Sequence, residues 1–112
     1  MTDAKKEAVL SRLFAVIESR RGADPESSYT AQLLAGGVEK VAQKLDEEAR
    51  ETVRAATQED RAALVHESAD LLYHLLTLLA ARDVTLEKVF DELKRREGTS
   101  GIEEKKSRKG KE

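Results

Sequence analysis

Cysteine is absent from this chain of 112 residues, and proline occurs once, at Pro25. Without cysteine the chain can form no disulfide, thiol nucleophile or thiolate zinc site. The net charge of −2 gives no support to a nucleic acid or an anionic membrane surface as a partner. The clues to function must therefore come from apolar and charged side chains.

Long hydrophobic runs are absent as well. The longest apolar stretch, residues 71–81, is too short to cross a bilayer and contains Tyr73 and His74. The first residues, Met-Thr-Asp-Ala-Lys-Lys, lack the apolar segment of a signal peptide. These features predict a soluble, cytoplasmic protein without a membrane partner.

The composition, 39% hydrophobic and 38% charged, is typical of amphipathic helices. Apolar residues recur at helical spacing, and hydroxyl side chains and glycines mark helix ends. The sequence predicts an all-α fold, a bundle of four main helices. Their expected positions are about residues 4–20, 38–56, 61–81 and a segment after Thr85, with a short extra helix between Ser28 and Leu34.

The predicted helix over residues 61–81 carries leucine around much of its circumference. It therefore needs more packing partners than a two-helix hairpin offers, and small helical domains often gain stability by dimerising. We predict a homodimer in which a partner subunit completes the bundle. One domain is expected over residues 1–97, followed by a mobile polar tail over residues 98–112.

Two pairs of carboxylates with matched spacing are the most informative motif. Glu48 and Glu51 lie three residues apart in one predicted helix, and Glu67 and Asp70 lie three apart in the next. This spacing places each pair on one helical face, and a short link favours antiparallel helices. The pairs should therefore converge, where their repulsion is costly unless cations neutralise it. Oxygen ligands favour Mg²⁺ or Mn²⁺ over zinc, and in enzymes these ions usually bind the phosphate groups of a substrate.

Three longer segments carry a resemblance to a known family. They are Ser-Tyr-Thr-Ala-Gln-Leu-Leu at residues 28–34, Gln-Lys-Leu-Asp-Glu-Glu at 43–48 and Glu-Ser-Ala-Asp-Leu-Leu-Tyr-His at 67–74. With the acidic pattern, they resemble the all-α nucleoside triphosphate pyrophosphohydrolases (MazG-like proteins), and within these the phosphoribosyl-ATP pyrophosphohydrolase family. The resemblance covers about residues 9–96. Asp46 departs from it, because the family is expected to prefer a small residue there.

The resemblance implies cleavage of phosphoribosyl-ATP between its α- and β-phosphates. The products would be phosphoribosyl-AMP and pyrophosphate, in the second step of histidine biosynthesis. Water activated by Mg²⁺ would be the nucleophile, with the metal held by Glu48, Glu51, Glu67 and Asp70.

Two further residues are candidates for catalysis. Glu47 would accept a proton from the attacking water, and Lys44 would contact a phosphate or the leaving pyrophosphate. Each has an ordinary alternative: Glu47 as an exposed side chain, and Lys44 as the partner of Glu47 or Glu48 on the same helix. The metal-binding acids, in turn, could form a solvated face.

Four residues are candidates for substrate binding. Tyr29 and Thr30 lie where a loop meets a helix, a place at which hydroxyls and amides can contact a phosphate or ribose, or simply cap the helix. His74 follows Asp70 by one turn and is predicted to support a ligand or touch the substrate rather than bind metal. Arg95 either reaches a substrate phosphate or only solubilises the surface.

Two other functions remain open at this point. A pyrophosphohydrolase of ordinary or aberrant nucleoside triphosphates, which cleans the nucleotide pool, would use the same acids and differ only in its substrate pocket. A non-catalytic helical interaction module would show no effect of divalent ions. Its function would also remain intact when Glu48 and Glu67 are replaced by glutamine.

Overall fold

The computed structural model describes residues 4–98, 101, 102, 105, 106 and 108. Helices are the only regular elements among them, which confirms the all-α prediction. The predicted helix over residues 61–81 is present with those bounds. The helix before it, expected over residues 38–56, continues for two more residues, to Gln58. The six helices are α1 (Ala4–Glu7), α2 (Val9–Ser19), α3 (Tyr29–Ala35), α4 (Val38–Gln58), α5 (Arg61–Ala81) and α6 (Leu86–Arg96).

Side-chain caps set the starts of three helices. In each, the capping oxygen accepts a hydrogen bond from a backbone N–H in the first turn. The Asp60 cap lets α5 begin with only two residues between it and the end of α4, so the two 21-residue helices form a tight antiparallel hairpin. The caps are Ser28 Oγ to Ala31 N (3.2 Å), Asp60 Oδ1 to Ala63 N (2.8 Å) and Thr85 Oγ1 to Lys88 N (3.3 Å).

The first predicted helix, residues 4–20, is divided in two by a turn at Ala8. The backbone of Ala8 has φ −88° and ψ 3°, outside the helical region. Lys5 and Lys6 lie in the last turn of α1 and so place positive charge just before the amino terminus of α2, where the helix dipole disfavours it. The predicted break at Gly36 and Gly37 is present, and Gly37 has φ +89°, a conformation that favours glycine.

The core lies where α2 crosses the carboxyl-terminal half of α5 and meets the start of α6. Its buried members come from all three helices, so this half of α5 is covered, whereas its amino-terminal half packs mainly on α4. The buried cluster comprises Phe14, Ile17, Leu76, Ala80 and Leu86. The hairpin of α4 and α5 is thus held at one end and presents its middle, with the carboxylates, to α3.

The predicted tail, residues 98–112, falls largely outside the described residues, since 99, 100, 103, 104, 107 and 109–112 are not among them. The prediction of a mobile tail therefore stays a prediction. Among the residues that are described, none of the helices is long and apolar enough to span a membrane.

Candidate metal and phosphate site

Thr52 fixes the register of α4 against α5 at the predicted acids. Its hydroxyl lies 2.7 Å from the backbone oxygen of Glu48 on its own helix and 3.2 Å from the backbone oxygen of Glu67 on α5. The hydroxyl carries one hydrogen, which is shared between the two carbonyl acceptors. This bond across the hairpin places the first acidic pair beside the second. We call Glu48, Glu51, Glu67 and Asp70 the acidic cluster.

The carboxylates of the acidic cluster are close enough to repel one another. The pKa of Glu67 is raised, first by desolvation and then by the charges of Glu48, Asp70 and Glu51, while His66 acts in the opposite direction. All four acids are half-buried. Excess negative charge on oxygen donors from two helices fits a hard divalent cation.

His66 is a neighbour of the acidic cluster that the sequence analysis missed. Its Nε2 lies 3.3 Å from Asp70 Oδ2. One ligand atom each from His66, Glu67 and Asp70 lies within 4.8 Å of the others. The signal was available, because residues four apart on a helix are neighbours.

Lys44 and Glu47, the two candidates for catalysis, form an ion pair beside the acidic cluster. Lys44 Nζ lies 3.5 Å from Glu47 Oε2, and both side chains are partly exposed. Desolvation raises the pKa of the Tyr29 hydroxyl, and the positive charge of Lys44 opposes this shift. The lysine therefore lies between its partner on α4 and the start of α3.

His74 is buried and connects α5 to Tyr29. Its Nδ1 lies 2.8 Å from the backbone oxygen of Asp70, which can only accept, so Nδ1 carries a proton. In the neutral ring Nε2 is then an acceptor, and it lies 3.3 Å from the hydroxyl of Tyr29. Both nitrogens of His74 thus have protein partners.

A second contact joins α3 to α5 through Tyr73, which the sequence analysis did not select. The hydroxyls of Thr30 and Tyr73 are hydrogen-bonded. The rings of Tyr29 and Tyr73 stack with centroids 6.3 Å apart, and the ring of His74 meets Tyr73 edge-on at 5.0 Å. We call Tyr29, Tyr73 and His74 the aromatic cluster. The charges of Glu48 and Asp70 both raise the pKa of Tyr29, so the aromatic cluster borders the acidic cluster.

Arg95 lies on α6, whereas the other candidate site residues lie on α3, α4 and α5. Its guanidinium donates two hydrogen bonds to Glu92, at 2.9 and 2.7 Å. With Arg96, it lowers the pKa of Glu92 to about 2. The described hydrogen bonds therefore place Arg95 in an arginine–glutamate cluster on α6, and its assignment to the substrate stays a prediction.

Comparison with known proteins shows which family the chain belongs to. A model of the family described as phosphoribosyl-ATP pyrophosphohydrolase matches residues 10–97. The chain belongs to that family. The match covers α2 to α6, and so includes the acidic cluster, the aromatic cluster and Lys44.

Curated members of the phosphoribosyl-ATP pyrophosphohydrolase family match along almost their whole length. A phosphoribosyl-ATP pyrophosphatase of Cereibacter sphaeroides is 61% identical over 101 residues, which cover 90% of this chain and 98% of the relative. One from Rhodobacter capsulatus is 62% identical, over 88% of this chain and 96% of the relative. One from Azospirillum brasilense is 53% identical, over 96% of both.

Asp46, the departure from the expected family pattern, is accommodated at the surface. Its Oδ2 accepts a hydrogen bond from Arg50 Nη2 at 2.6 Å, one turn along α4, and both side chains are exposed. The departure therefore changes the outer face of α4.

Replacing Thr52 by valine tests whether its hydroxyl sets the register of this family member's site. The change keeps the side chain's shape, and the loss of the bond to Glu67 should cost about 0.5–1.5 kcal/mol in the free energy of unfolding. Mg²⁺ affinity should fall a few-fold. Urea unfolding and metal titration measure both effects.

Thr57 is the matched control on the same helix. Its hydroxyl bonds back to Val53 at 2.8 Å and is exposed. Thr57→Val should leave Mg²⁺ affinity unchanged. If Thr52→Val behaves like this control, Thr52 does not position the acids.

Proposed function

We propose that this protein hydrolyses phosphoribosyl-ATP between its α- and β-phosphates, releasing phosphoribosyl-AMP and pyrophosphate in the second step of histidine biosynthesis. The observation that carries the proposal is the convergence of Glu48, Glu51, Glu67 and Asp70 in a chain of the phosphoribosyl-ATP pyrophosphohydrolase family. The relatives bear the name of this activity.

The acidic cluster is the proposed site of Mg²⁺, with Mn²⁺ as a substitute. Its donors are oxygen atoms, which suit both ions, and a triphosphate would be repelled by these carboxylates without a cation between them. When bound, the metal would withdraw charge from the phosphates and lower the pKa of a water molecule. Glu48 and Glu51 would hold it from α4, and Glu67 and Asp70 from α5.

Lys44 and Glu47 have linked roles in this proposal. Their ion pair, at 3.5 Å, is between partly exposed groups and so costs little to break. A substrate phosphate competes with Glu47 for the Lys44 ammonium. When Lys44 turns to the phosphate, the Glu47 carboxylate is released and can accept a proton from the attacking water. Lys44 would then remain to balance the charge of the leaving pyrophosphate.

The aromatic cluster supplies the proposed substrate side of the pocket. Tyr29 is 51% exposed although its hydroxyl is held by His74, so its ring offers an ordered surface to a ligand. Thr30 is held from the other side by Tyr73. We assign Tyr29, Thr30 and His74 to binding and orienting the substrate, and Arg95 to a phosphate contact from α6.

The products identify the bond that is cleaved. Incubation of phosphoribosyl-ATP with the protein and Mg²⁺, followed by ³¹P NMR, is expected to show pyrophosphate and phosphoribosyl-AMP in equal amounts. Release of inorganic phosphate would instead indicate cleavage between the β- and γ-phosphates and contradict the proposal. Chelation of the metal should stop the reaction.

The exposed apolar face of α5 at Val65 and Leu72 provides the proposed dimer interface. Val65, Leu72 and Leu76 follow one another at spacings of seven and four, so they share a face of the helix. Where α2 covers this face, Leu76 is 2% exposed, whereas Val65 is 70% and Leu72 43% exposed. Val53 on α4 is exposed too. The uncovered part continues the core, and a second copy of the chain is the expected cover.

Leu72→Glu is expected to dissociate this dimer. Burial of an unpaired carboxylate in an apolar interface should raise the dimer dissociation constant at least about 100-fold. Light scattering at micromolar concentration measures the mass directly. The control is Val16→Glu on α2, which adds the same charge to an exposed apolar position. A wild-type monomer, or equal effects of the two changes, would contradict this interface.

The remaining parts of the proposal concern the chain as a whole. We infer a catalytic domain over residues 1–97 and a polar tail over 98–112 that is not needed for hydrolysis. We also infer a cytoplasmic location, with no role for nucleic acid or membrane. Removal of residues 98–112 should leave the rate of pyrophosphate release unchanged.

A further inference from the structure

His66 is placed as a ligand atom for a metal ion would be. Its Nε2 lies 3.3 Å from Asp70 Oδ2. Two ligand atoms that each lie about 2.1 Å from one ion are about 3.0–3.4 Å apart for angles between octahedral and tetrahedral. Glu67 adds a third atom within 4.8 Å of both. His66 and Asp70 therefore already have a separation that one ion can bridge, and Glu67 lies near enough to join them by a side-chain rotation.

The His66 side chain is also accessible to an ion arriving from solvent. It is 72% exposed, and its described contact is with Asp70, itself a proposed ligand. His74 differs in both respects: it is 5% exposed, and each of its nitrogens has a protein partner. Of the two histidines in the chain, His66 is the one whose nitrogen contacts a carboxylate of the acidic cluster, whereas His74 contacts only a backbone oxygen there.

We propose that His66 is a nitrogen ligand on the α5 side of the acidic cluster, which gives the site a preference for Zn²⁺ and similar ions over Mg²⁺. Imidazole suits zinc, nickel and copper, whereas Mg²⁺ strongly prefers oxygen. The inference rests on the proposed function to the extent that Glu67 and Asp70 bind metal. Its consequence is that Zn²⁺ displaces Mg²⁺ from the catalytic site at low concentration.

The test is metal binding to the untagged protein without substrate. Calorimetric titrations with ZnCl₂ and MgCl₂ compare the wild type, His66→Gln and Glu67→Gln. His66→Gln is expected to weaken Zn²⁺ binding by about 10-fold or more and Mg²⁺ binding by no more than about 2-fold. Glu67→Gln should weaken binding of both ions. Equal losses for both ions in His66→Gln, or no loss, would overturn the proposal.

NMR of the imidazole nitrogens gives an independent result, because the chain has two histidines. Zn²⁺ is expected to shift the Nε2 resonance of His66 and to leave that of His74 in place. An unchanged His66 resonance at saturating Zn²⁺ would overturn the proposal. Turnover of phosphoribosyl-ATP is measured separately, so an unchanged preference for Zn²⁺ over Mg²⁺ in His66→Gln, with intact turnover of the wild type, disproves only the role of His66. Zinc binding by His66 without turnover disproves only the proposed function.

Discussion

Replacing Glu67 by glutamine is expected to lower kcat/KM for phosphoribosyl-ATP by roughly 100-fold or more while stabilising the metal-free protein. The catalytic loss follows because glutamine is a weaker, uncharged ligand. Even residues that only orient a metal ligand change metal affinity or activity by about 10–100-fold when they are replaced. Pyrophosphate release and thermal unfolding in chelator measure the two effects.

The gain in stability has a definite sign. The pKa of Glu67 is raised in the folded protein by desolvation and by Glu48, Asp70 and Glu51, so the fold binds this proton more tightly than the unfolded chain. The ionised carboxylate therefore destabilises the fold at neutral pH, and this cost disappears as the pH falls through the raised pKa. Glutamine removes the cost at every pH.

Glu97→Gln is the control for loss of a charge. Glu97 is exposed at the end of α6, apart from the acidic cluster, so its replacement should leave turnover unchanged. A Glu67→Gln variant that unfolds at lower temperature in chelator would show that the carboxylates do not repel as described. Full activity of the variant would remove Glu67 from the metal site.

Replacing His74 by alanine is expected to cost about 2–4 kcal/mol in the free energy of unfolding, on the scale of large-to-small core substitutions. The ring is buried between Tyr29 and Tyr73 and bonds to the backbone of Asp70. Its loss should also lower kcat/KM about 10- to 100-fold, because Tyr29 is no longer held against α5. Denaturant unfolding and steady-state kinetics on the folded protein measure these effects.

His66→Ala is the matched control for stability. Its ring is exposed, so its removal should change the free energy of unfolding by about 0.5 kcal/mol or less. Tyr29→Phe isolates the hydrogen bond that His74 accepts and should reproduce part of the catalytic loss with little loss of stability. If His74→Ala retains full activity once folded, the aromatic cluster is structural only.

The helices could be predicted well because their signals are local. Asp60 and Thr85 are caps that can be recognised in the sequence, and α5 has the predicted bounds. The break at Ala8 was missed because alanine is a strong helix former, and the two lysines before it leave the periodic pattern intact. The first helix thus illustrates a boundary that the hydrophobic spacing does not encode.

The candidate site could be predicted in part, for a similar reason. The two acidic pairs follow from spacing within a helix, and their convergence follows from the hairpin. Thr52 could not be selected, because its bond to Glu67 depends on the register between α4 and α5. Tyr73 and His66 have suitable spacing from Asp70, but only the structure shows which neighbours along the helix point toward the acids.

The most direct test compares rates of pyrophosphate release from phosphoribosyl-ATP and from ATP, GTP, CTP, UTP and their deoxy forms, each with Mg²⁺ and with chelator. We expect phosphoribosyl-ATP to be hydrolysed at least about 100-fold more efficiently than any of the others, and only with the metal. Equal or faster release from the ordinary triphosphates would contradict this and assign the acidic cluster to cleaning of the nucleotide pool.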